Sequence, residues 1–444
     1  MLDLAHYDAL IIGFGKAGKT LAGAFSSKDW KVALVEEETN MYGGTCINVA
    51  CIPTKLLMHD ALEGKEYSAA IERKFNTIEK LNKKNYHSVA DLDNAKVIDG
   101  RAKFVNEKEI EVSKKDGGTE SITANKIFIN TGATSVIPPL EGNMDSEKIY
   151  TSTSLLNEEK LPETLTIVGG GYIGLEFATM YNAFGATVNI IVPDDGILKN
   201  EDKEIKDEIT RDMKESGINF IFGKKAEKVA DNGSDITVSL SGGEAVTSNA
   251  VLFATGRKAN TEGLGLENTK IDTDDRGAIV VDEHLQTSVD NIYAVGDVKG
   301  GMQFTYTSLD DFRVVKSHLL EDGSYTSDDR KNIQYTKFID PPFSKVGYTL
   351  DEAKEAGFNA QEKSMLMSGH PRSHINNELR GIFKAVVDTE SGEILGAHLY
   401  GVNSEELINM VKLAMDHDIP YGYLRDMMYN HPGMSEAFNN LFNI

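Results

Sequence analysis

Cysteine is nearly absent from this 444-residue chain, which has two, and tryptophan occurs once. Two thiols exclude the multi-disulfide framework that staples small secreted domains. Long apolar runs are missing as well: nothing approaches the ~18 uninterrupted apolar residues of a membrane helix, so no membrane-spanning segment is expected. Positive charge is the minority, with 46 Lys and Arg against 69 Asp and Glu and a formal net charge of -23. No basic run offsets that balance locally, so the chain repels phosphate backbones and no nucleic-acid partner is expected. The opening Met1-Leu2-Asp3-Leu4 carries an acid where a signal peptide needs Lys or Arg, which points to a cytoplasmic protein. What remains is an ordinary globular composition, 40% hydrophobic and 26% charged, on a chain long enough for two to four domains.

The N-terminal segment reads as a βαβ unit. Ala9-Leu10-Ile11-Ile12 stops at Gly13-Phe14-Gly15-Lys16-Ala17-Gly18, Ala17 to Phe25 has helical character, and Val32-Ala33-Leu34-Val35 ends on Glu36. A second copy runs from Leu165-Thr166-Ile167-Val168 through Gly169-Gly170-Gly171-Tyr172-Ile173-Gly174, a helix from Leu175 to Phe184, and a strand from Thr187 to Val192. In such a turn the first glycine bends the chain tightly, the second admits a pyrophosphate, and the third lets helix pack on strand. In the first copy an acid suited to the ribose hydroxyls follows at 36 − 13 = 23 residues; the same offset from Gly169 falls on Val192. The second turn therefore lacks the carboxylate that rejects a 2′-phosphate, which leans toward acceptance of NADPH. Lys199 offers a phosphate partner, Asp194 and Asp195 oppose one, and the alternative is that Val192 only packs.

Between the copies, Lys96 to Phe104, Glu109 to Ser113 and Ile122 to Asn130 read as strands, with a turn at Lys114 to Gly118. Pro138-Pro139 and Leu161-Pro162 bracket a linker. Val251 to Ala254 and Ile292 to Val295 are buried strands that end on glycine, and from about Asn332 strands (Ile382 to Val387, Ile394 to Tyr400) are followed by helices. One helix is expected to start at Asn403, with Glu406 completing an N-capping pattern. The two cysteines, Cys46 and Cys51, lie five apart directly after the first unit, a closeness that random placement gives in roughly 2% of cases. At an irregular helix start the positive helix end lowers a thiolate pKa and favours redox exchange. The competing readings are two inert buried thiols or half of a zinc site. The second lacks a nearby pair of ligands, and the first gives no reason for clustering beside a nucleotide turn.

The stretch Gly43-Gly44-Thr45-Cys46-Ile47-Asn48-Val49-Ala50-Cys51-Ile52-Pro53-Thr54-Lys55, with the two glycine turns, resembles the flavoprotein disulfide reductases over essentially the full chain. Ile11 to Thr20, Met41 to Lys55, Gln303 to Asp311 and Asp328 to Asn332 look like a reactive-chlorine-resistance subgroup regarded as copper(II) reductases. The resemblance implies an α/β fold of two Rossmann-like dinucleotide-binding domains plus a C-terminal α+β dimerisation domain. The divisions expected are 1–148 and 273–331 for FAD, 149–272 for NAD(P)H and 332–444 for dimerisation. It implies that Gly13, Gly15, Gly18, Glu36, Gly44, Thr45 and Lys55 hold FAD, that Gly296-Asp297 reaches its ribityl chain, and that Thr131-Gly132 and Ala254-Thr255-Gly256-Arg257 close the two nucleotide domains. Gly169, Gly171 and Gly174, with position 192, would hold the pyridine nucleotide. By the same matching, Cys46 is the thiol that meets substrate, Cys51 faces the flavin, and Lys55 pairs with Glu176.

Near the C-terminus, His431-Pro432-Gly433-Met434-Ser435-Glu436 matches a family motif in which the histidine is acid and base to the substrate-facing thiol and the glutamate orients it. In the family this segment crosses to the other subunit, which implies a homodimer. Tyr429, Gly433 and Ala50 depart from the usual pattern. Cys46 and Cys51, with His431 as a further soft donor, suit copper as a substrate, whereas Met427, Met428 and Met434 are expected to fill core, and Pro371 argues against a helix joining His370 and His374. Three functions follow as expectations: an NAD(P)H-driven reductase of Cu(II) in stress defence, a conventional dihydrolipoamide or glutathione-type disulfide reductase, and a nucleotide-binding electron-transfer or sensor protein without turnover.

Overall fold

A computed structural model describes residues 5–444; the opening Met1 to Leu4, read above for its charge pattern, lies outside them. The first unit is built on parallel strands. Ala5–Ile12 lies between Val32–Glu36 and Thr119–Ile129, and Ile292–Ala294 adds to the far edge of the last of these. Such strands are covered on both faces, which is why Val32-Ala33-Leu34-Val35 reads as a continuous apolar run. Ala95–Asn106 starts parallel to Val32–Glu36 and then, from Gly100, turns antiparallel to Glu109–Lys114. A Cβ on Gly100 would lie 2.7 Å from the Ser113 carbonyl oxygen, so the glycine permits this change of partner.

The second unit repeats the plan. Thr164–Val168 pairs in parallel with Thr187–Val192 and Ala250–Phe253, and the helix Tyr172–Ala183 connects the first two. The linker bracketed by prolines is not structureless, because Ile149–Tyr150 joins this sheet and Glu141–Gly142 joins the antiparallel sheet beside it. The crossings between units thus fall earlier than 149 and 273. Ala133–Ser135 and Arg257–Ala259 pair with each other at the crossing, and Ala259, Leu264 and Ile271 already pack in the first unit's core.

The C-terminal unit is an antiparallel sheet in the order Tyr335–Lys337, Phe343–Gly347, Ile394–Tyr400, Ile382–Asp388, Ala360–Leu366, with the helix Ser404–Asp416 packed on it. That helix begins where expected, yet Asn403 is left-handed (φ 62°) and its side chain caps nothing, so Asn403 serves by its tolerance of that conformation. Pro371 opens the helix Pro371–Asn376 at its first turn, where a missing N–H costs nothing. His370 and His374 bond separate carbonyls, those of Gly433 and Ser368, and no group of three or more His, Cys, Asp or Glu able to hold a metal ion occurs among the described residues. No described helix is long and apolar enough to cross a membrane.

An ionic layer joins the C-terminal sheet to the second unit. Lys384, 3% exposed, meets Asp202 and Glu362 at 2.9 Å and Glu204 at 3.2 Å, while Lys337 meets Glu201 at 2.5 Å. Removing one member of a buried pair leaves charge without compensation, at about 3–5 kcal/mol. Lys384→Met is therefore expected to lower stability by about 3 kcal/mol or more, read as a reduced midpoint in equilibrium urea unfolding.

Candidate active site

The cysteines sit at a break between two helices. Thr45–Asn48 is a single turn holding Cys46, Val49 and Ala50 leave helical geometry, and Cys51 opens the helix Cys51–Leu62. Gly44 comes so close to the first glycine turn that a Cβ on it would lie 2.7 Å from Gly15 Cα. The chain is thereby forced to deliver the cysteines beside that turn.

The turn itself is tight. Gly13 has φ +103° and a Cβ there would meet the Asn130 carbonyl oxygen at 2.4 Å; on Gly18 it would meet Asn130 Nδ2 at 2.5 Å. Asn130 Nδ2 also donates to the Gly13 carbonyl at 3.0 Å, so one amide side chain fills the floor under all three glycines. The second turn has the same first contact, Gly169 (φ +122°) against the Ala254 carbonyl at 2.4 Å, but Ala254 has only a methyl to offer its floor and Gly171 faces open space. Asn130 was not anticipated; the local signal was its place before Thr131-Gly132, matching Ala254 before Thr255-Gly256. Val192, 2% exposed, packs beneath Gly170 and Ile197, so its side chain is core and what position 192 offers a ribose is the lack of a carboxylate.

A cavity of about 1010 Å³ runs through the first unit. Of the residues singled out from the sequence, Gly13, Gly15, Glu36, Gly44, Thr45, Cys46, Cys51, Lys55, Thr131, Gly132, Glu176, Gly296 and Asp297 line it. Glu36 accepts the Phe14 amide at 2.8 Å and the Glu38 amide at 3.0 Å, and burial pushes its carboxyl pKa up. Burial likewise raises Asp297, whose neighbouring Gly296 amide is held by Asp311 at 2.6 Å. Asp311 in turn meets Arg330 at 2.6 Å, which explains physically why 303–311 and 328–332 belong together. The size, the glycine cradle and the carboxylate at Glu36 suit a dinucleotide. A second cavity of about 500 Å³ adjoins it, with Tyr172, Arg257, Phe304 and Tyr335 common to both. Gly18, Gly169, Gly171, Gly174 and Gly256 line neither cavity.

The two thiols differ electrostatically. The Cys51 thiol is pulled down to about 6, first by a hydrogen bond from Cys46, then, against burial, by the Thr305 hydroxyl and the Lys55 charge. Thr305 Oγ1 lies 3.6 Å from Cys51 Sγ, which gives the stretch Gln303 to Asp311 a contact at the cysteines that its sequence alone does not specify. Cys46 is raised, by that same hydrogen bond and by burial. Lys55 pairs with Glu176 at 2.7 Å, and the other Glu176 oxygen accepts the Phe338 amide at 2.9 Å. His431 and Glu436 pair at 2.9 Å but do not line the cavity, so one chain does not bring them to the cysteines.

Residues 7–311 match the pyridine nucleotide-disulphide oxidoreductase family, and residues 333–442 match that family's dimerisation domain. The chain belongs to this family. It is 45% identical to the probable pyridine nucleotide-disulfide oxidoreductase RclA of Escherichia coli (strain K12) across 99% of each chain. It is 31% identical to the mercuric reductase of Bacillus cereus, over 97% of this chain and 70% of that one. A solved structure described as a Cu(II) complex of HOCl-induced flavoprotein disulfide reductase RclA from Escherichia coli superimposes with a TM-score of 0.96 at 45% identity, covering 99% of both. Pyridine nucleotide-disulphide oxidoreductases are enzymes that use FAD and NAD(P)H, and the mixed α/β architecture described above is theirs.

With only two cysteines in the chain, thiolate absorbance reports this site alone. In the reduced, flavin-free protein one thiolate per chain is expected to appear as pH rises through about 6, with the second absent at neutral pH. Lys55→Met removes a cation that favours the charged form, so the ultraviolet titration midpoint should move up by about one unit.

Proposed function

We propose that this enzyme takes electrons from NAD(P)H and delivers them through the Cys46-Cys51 pair to Cu(II), as a cytoplasmic homodimer acting in defence against reactive chlorine and related oxidants. The observation that carries the reading is a two-thiol unit, one thiol polarised toward thiolate, opening on a dinucleotide-sized cavity in a chain this similar to an RclA solved with Cu(II). Gly13, Gly15, Gly18 and Glu36 would hold the adenosine and pyrophosphate of FAD, with Asp297 toward its ribityl chain; Gly169, Gly171 and Gly174 would hold the pyridine nucleotide. When bound, FAD supplies the two-electron carrier between nicotinamide and sulfur.

The chain's own groups then have separate tasks. Cys51, with Thr305 and Lys55 beside it, keeps the thiolate. Cys46, held protonated by its bond to Cys51, is the thiol offered to the acceptor. Closing the disulfide releases two electrons, enough to reduce two Cu(II) to Cu(I), and the one proton that Cys46 carries. His431 of the partner subunit accepts the Cys46 proton, oriented through Nδ1 by Glu436.

A panel of acceptors tests this. With NADH and NADPH, the wild type should reduce Cu(II) faster than lipoamide or oxidised glutathione, and Cys46→Ser or Cys51→Ser should lose at least about a hundredfold while retaining FAD. Turnover with a disulfide and none with copper would establish the conventional reductase instead. The shared site has its own test. Hybrid dimers of Cys46→Ser and His431→Gln chains should recover close to half of wild-type activity, because one of the two sites would then hold both intact residues. Hybrids as inactive as either parent would place histidine and cysteine in one chain.

A further inference from the structure

The acceptor-facing thiol has a lysine of its own. Lys19 lies on the helix Lys16–Ser26, where its amide bonds the Gly15 carbonyl at 3.1 Å, so it stands one turn beyond Gly15. Gly15 is the residue against which Gly44 packs on the way into the cysteine turn. From that place the Lys19 ammonium donates to Asn85 Oδ1, on the helix Tyr67–Ala90. Asn85 is fixed in turn, because its Nδ2 donates to the Leu81 carbonyl at 2.7 Å. Its amide lies close against the cysteine turn: a Cβ on Gly43 would meet Asn85 Cγ at 2.9 Å and Ile47 Cγ1 at 3.1 Å. Gly43 and Ile47 stand before and after Cys46, so one hydrogen bond separates the ammonium from the turn that carries the thiol.

The company this ammonium keeps is unusual for the chain. The protein has 69 acidic residues, yet Lys19 bonds a neutral amide and forms no ion pair among the described residues. A second lysine, Lys16, lines the cavity beside Gly15. Burial, with Lys16 behind it, lowers the Lys19 ammonium to about 8, which leaves it charged at neutral pH, while Cys46 favours the charge. The effect is mutual. Cys46 is raised by its hydrogen bond to Cys51 and by burial, and Thr305 and the Lys19 charge oppose that rise. Lys55 stands in the same relation to Cys51, so each thiol has a cation supplied by a different helix. An ammonium without a carboxylate, near a second lysine, makes the acceptor end of the dithiol locally positive in a protein of net charge -23. A field of that sign draws anions and holds back cations.

We propose that Lys19 determines which acceptors Cys46 serves, by favouring those of net negative charge, so that Cu(II) arrives as an anionic chelate rather than as the bare dication. The inference rests on Cys46 being the acceptor-facing thiol. It adds no redox step, since the electrons leave the thiols as given above and only the charge of the copper's other ligands is specified. Lys19 does not line the cavity, so it acts through the field at Cys46 and is a specificity-determining residue, not a ligand.

Alkylation of Cys46 tests the field without copper. In Cys51→Ser holoenzyme Cys46 is the only thiol, and its rates with iodoacetate, an anion, and neutral iodoacetamide are compared at about 0.15 M salt, where distant charges are screened. Lys19→Gln removes the charge but can still donate to Asn85. It should lower the iodoacetate-to-iodoacetamide ratio about fivefold, the scale of one unit charge several ångströms away near a protein surface, and Lys19→Arg should keep the parent's ratio. A change in thiolate fraction or a loosened turn slows both reagents alike and cancels in the ratio. With both cysteines present, kcat/KM for copper(II) nitrilotriacetate, a monoanion, relative to Cu(II) in a non-coordinating buffer should fall in the same proportion in Lys19→Gln. An unchanged alkylation ratio, meaning an ammonium neutralised across the dimer or too far from the thiol, overturns the proposal, and so does a ratio lowered equally by Lys19→Arg. One measurement needs no variant of Lys19: the parent's ratio should exceed that of N-acetylcysteinamide, a neutral thiol, and a ratio no higher overturns the proposal as well. An alkylation shift with an unchanged copper ratio overturns the anionic chelate. A protein that shows the alkylation shift but reduces no copper overturns the copper acceptor and leaves the charge preference at Cys46 standing.

Discussion

Three parts of the chain meet at one carboxylate. Glu176, buried on the helix that follows the second glycine turn, takes the Lys55 ammonium at 2.7 Å on one oxygen and the Phe338 amide at 2.9 Å on the other. Lys55 belongs to the helix that begins with Cys51, and Phe338 leads into the C-terminal sheet, its ring lying 4.7 Å from the same ammonium. An ion pair of this kind returns its desolvation cost only when geometry is good and the remaining lone pairs are bonded, and here both oxygens are used. The same lysine charge favours the Cys51 thiolate. Lys55 thus takes part both in fixing the relative placement of the units and, behind the Cys46 and Thr305 contacts, in polarising the reactive sulfur.

The two glycine turns show how one fold unit is made different by what lies under it. Both place the first glycine 2.4 Å, in Cβ terms, from a carbonyl of the neighbouring strand. At Asn130 that strand supplies an amide that fills the floor and bonds the Gly13 carbonyl, whereas at Ala254 it supplies a methyl and leaves space over Gly171. A filled floor suits a ligand that is bound and kept; an open one suits a ligand that enters and leaves. The carboxylate difference at the strand ends, Glu36 against Val192, runs in the same direction, since only the first unit offers an acceptor for ribose hydroxyls.

Much of this was legible in the residues because it depends on local chemistry. The glycine spacing, the strand ends and the cysteine pair sit within short stretches, and the strands around them fall within a few residues of where periodicity puts them. What escaped depends on contacts distant in sequence. Thr305 reaches Cys51 across 254 positions, and Glu201 meets Lys337 across 136. Lys384 reads as a charged interruption in an apolar strand until the second unit covers that face of the sheet with Asp202. The capping reading at Asn403 failed for a local reason, because the left-handed backbone satisfies the chain reversal without the side chain. Pro371 opens the helix Pro371–Asn376 instead of breaking one, because a first-turn proline suits a helix as readily as an interior one disrupts it.

The scarcity of cysteine takes on a physical sense once the site is in view. Thiolates are the groups that copper and hypochlorous acid both attack, the first by ligation and the second by oxidation up a ladder whose upper steps are not reversed. In a chain of 444 residues with two thiols, both at the cavity, there is no other sulfur that could hold copper as tightly or be lost to sulfonate.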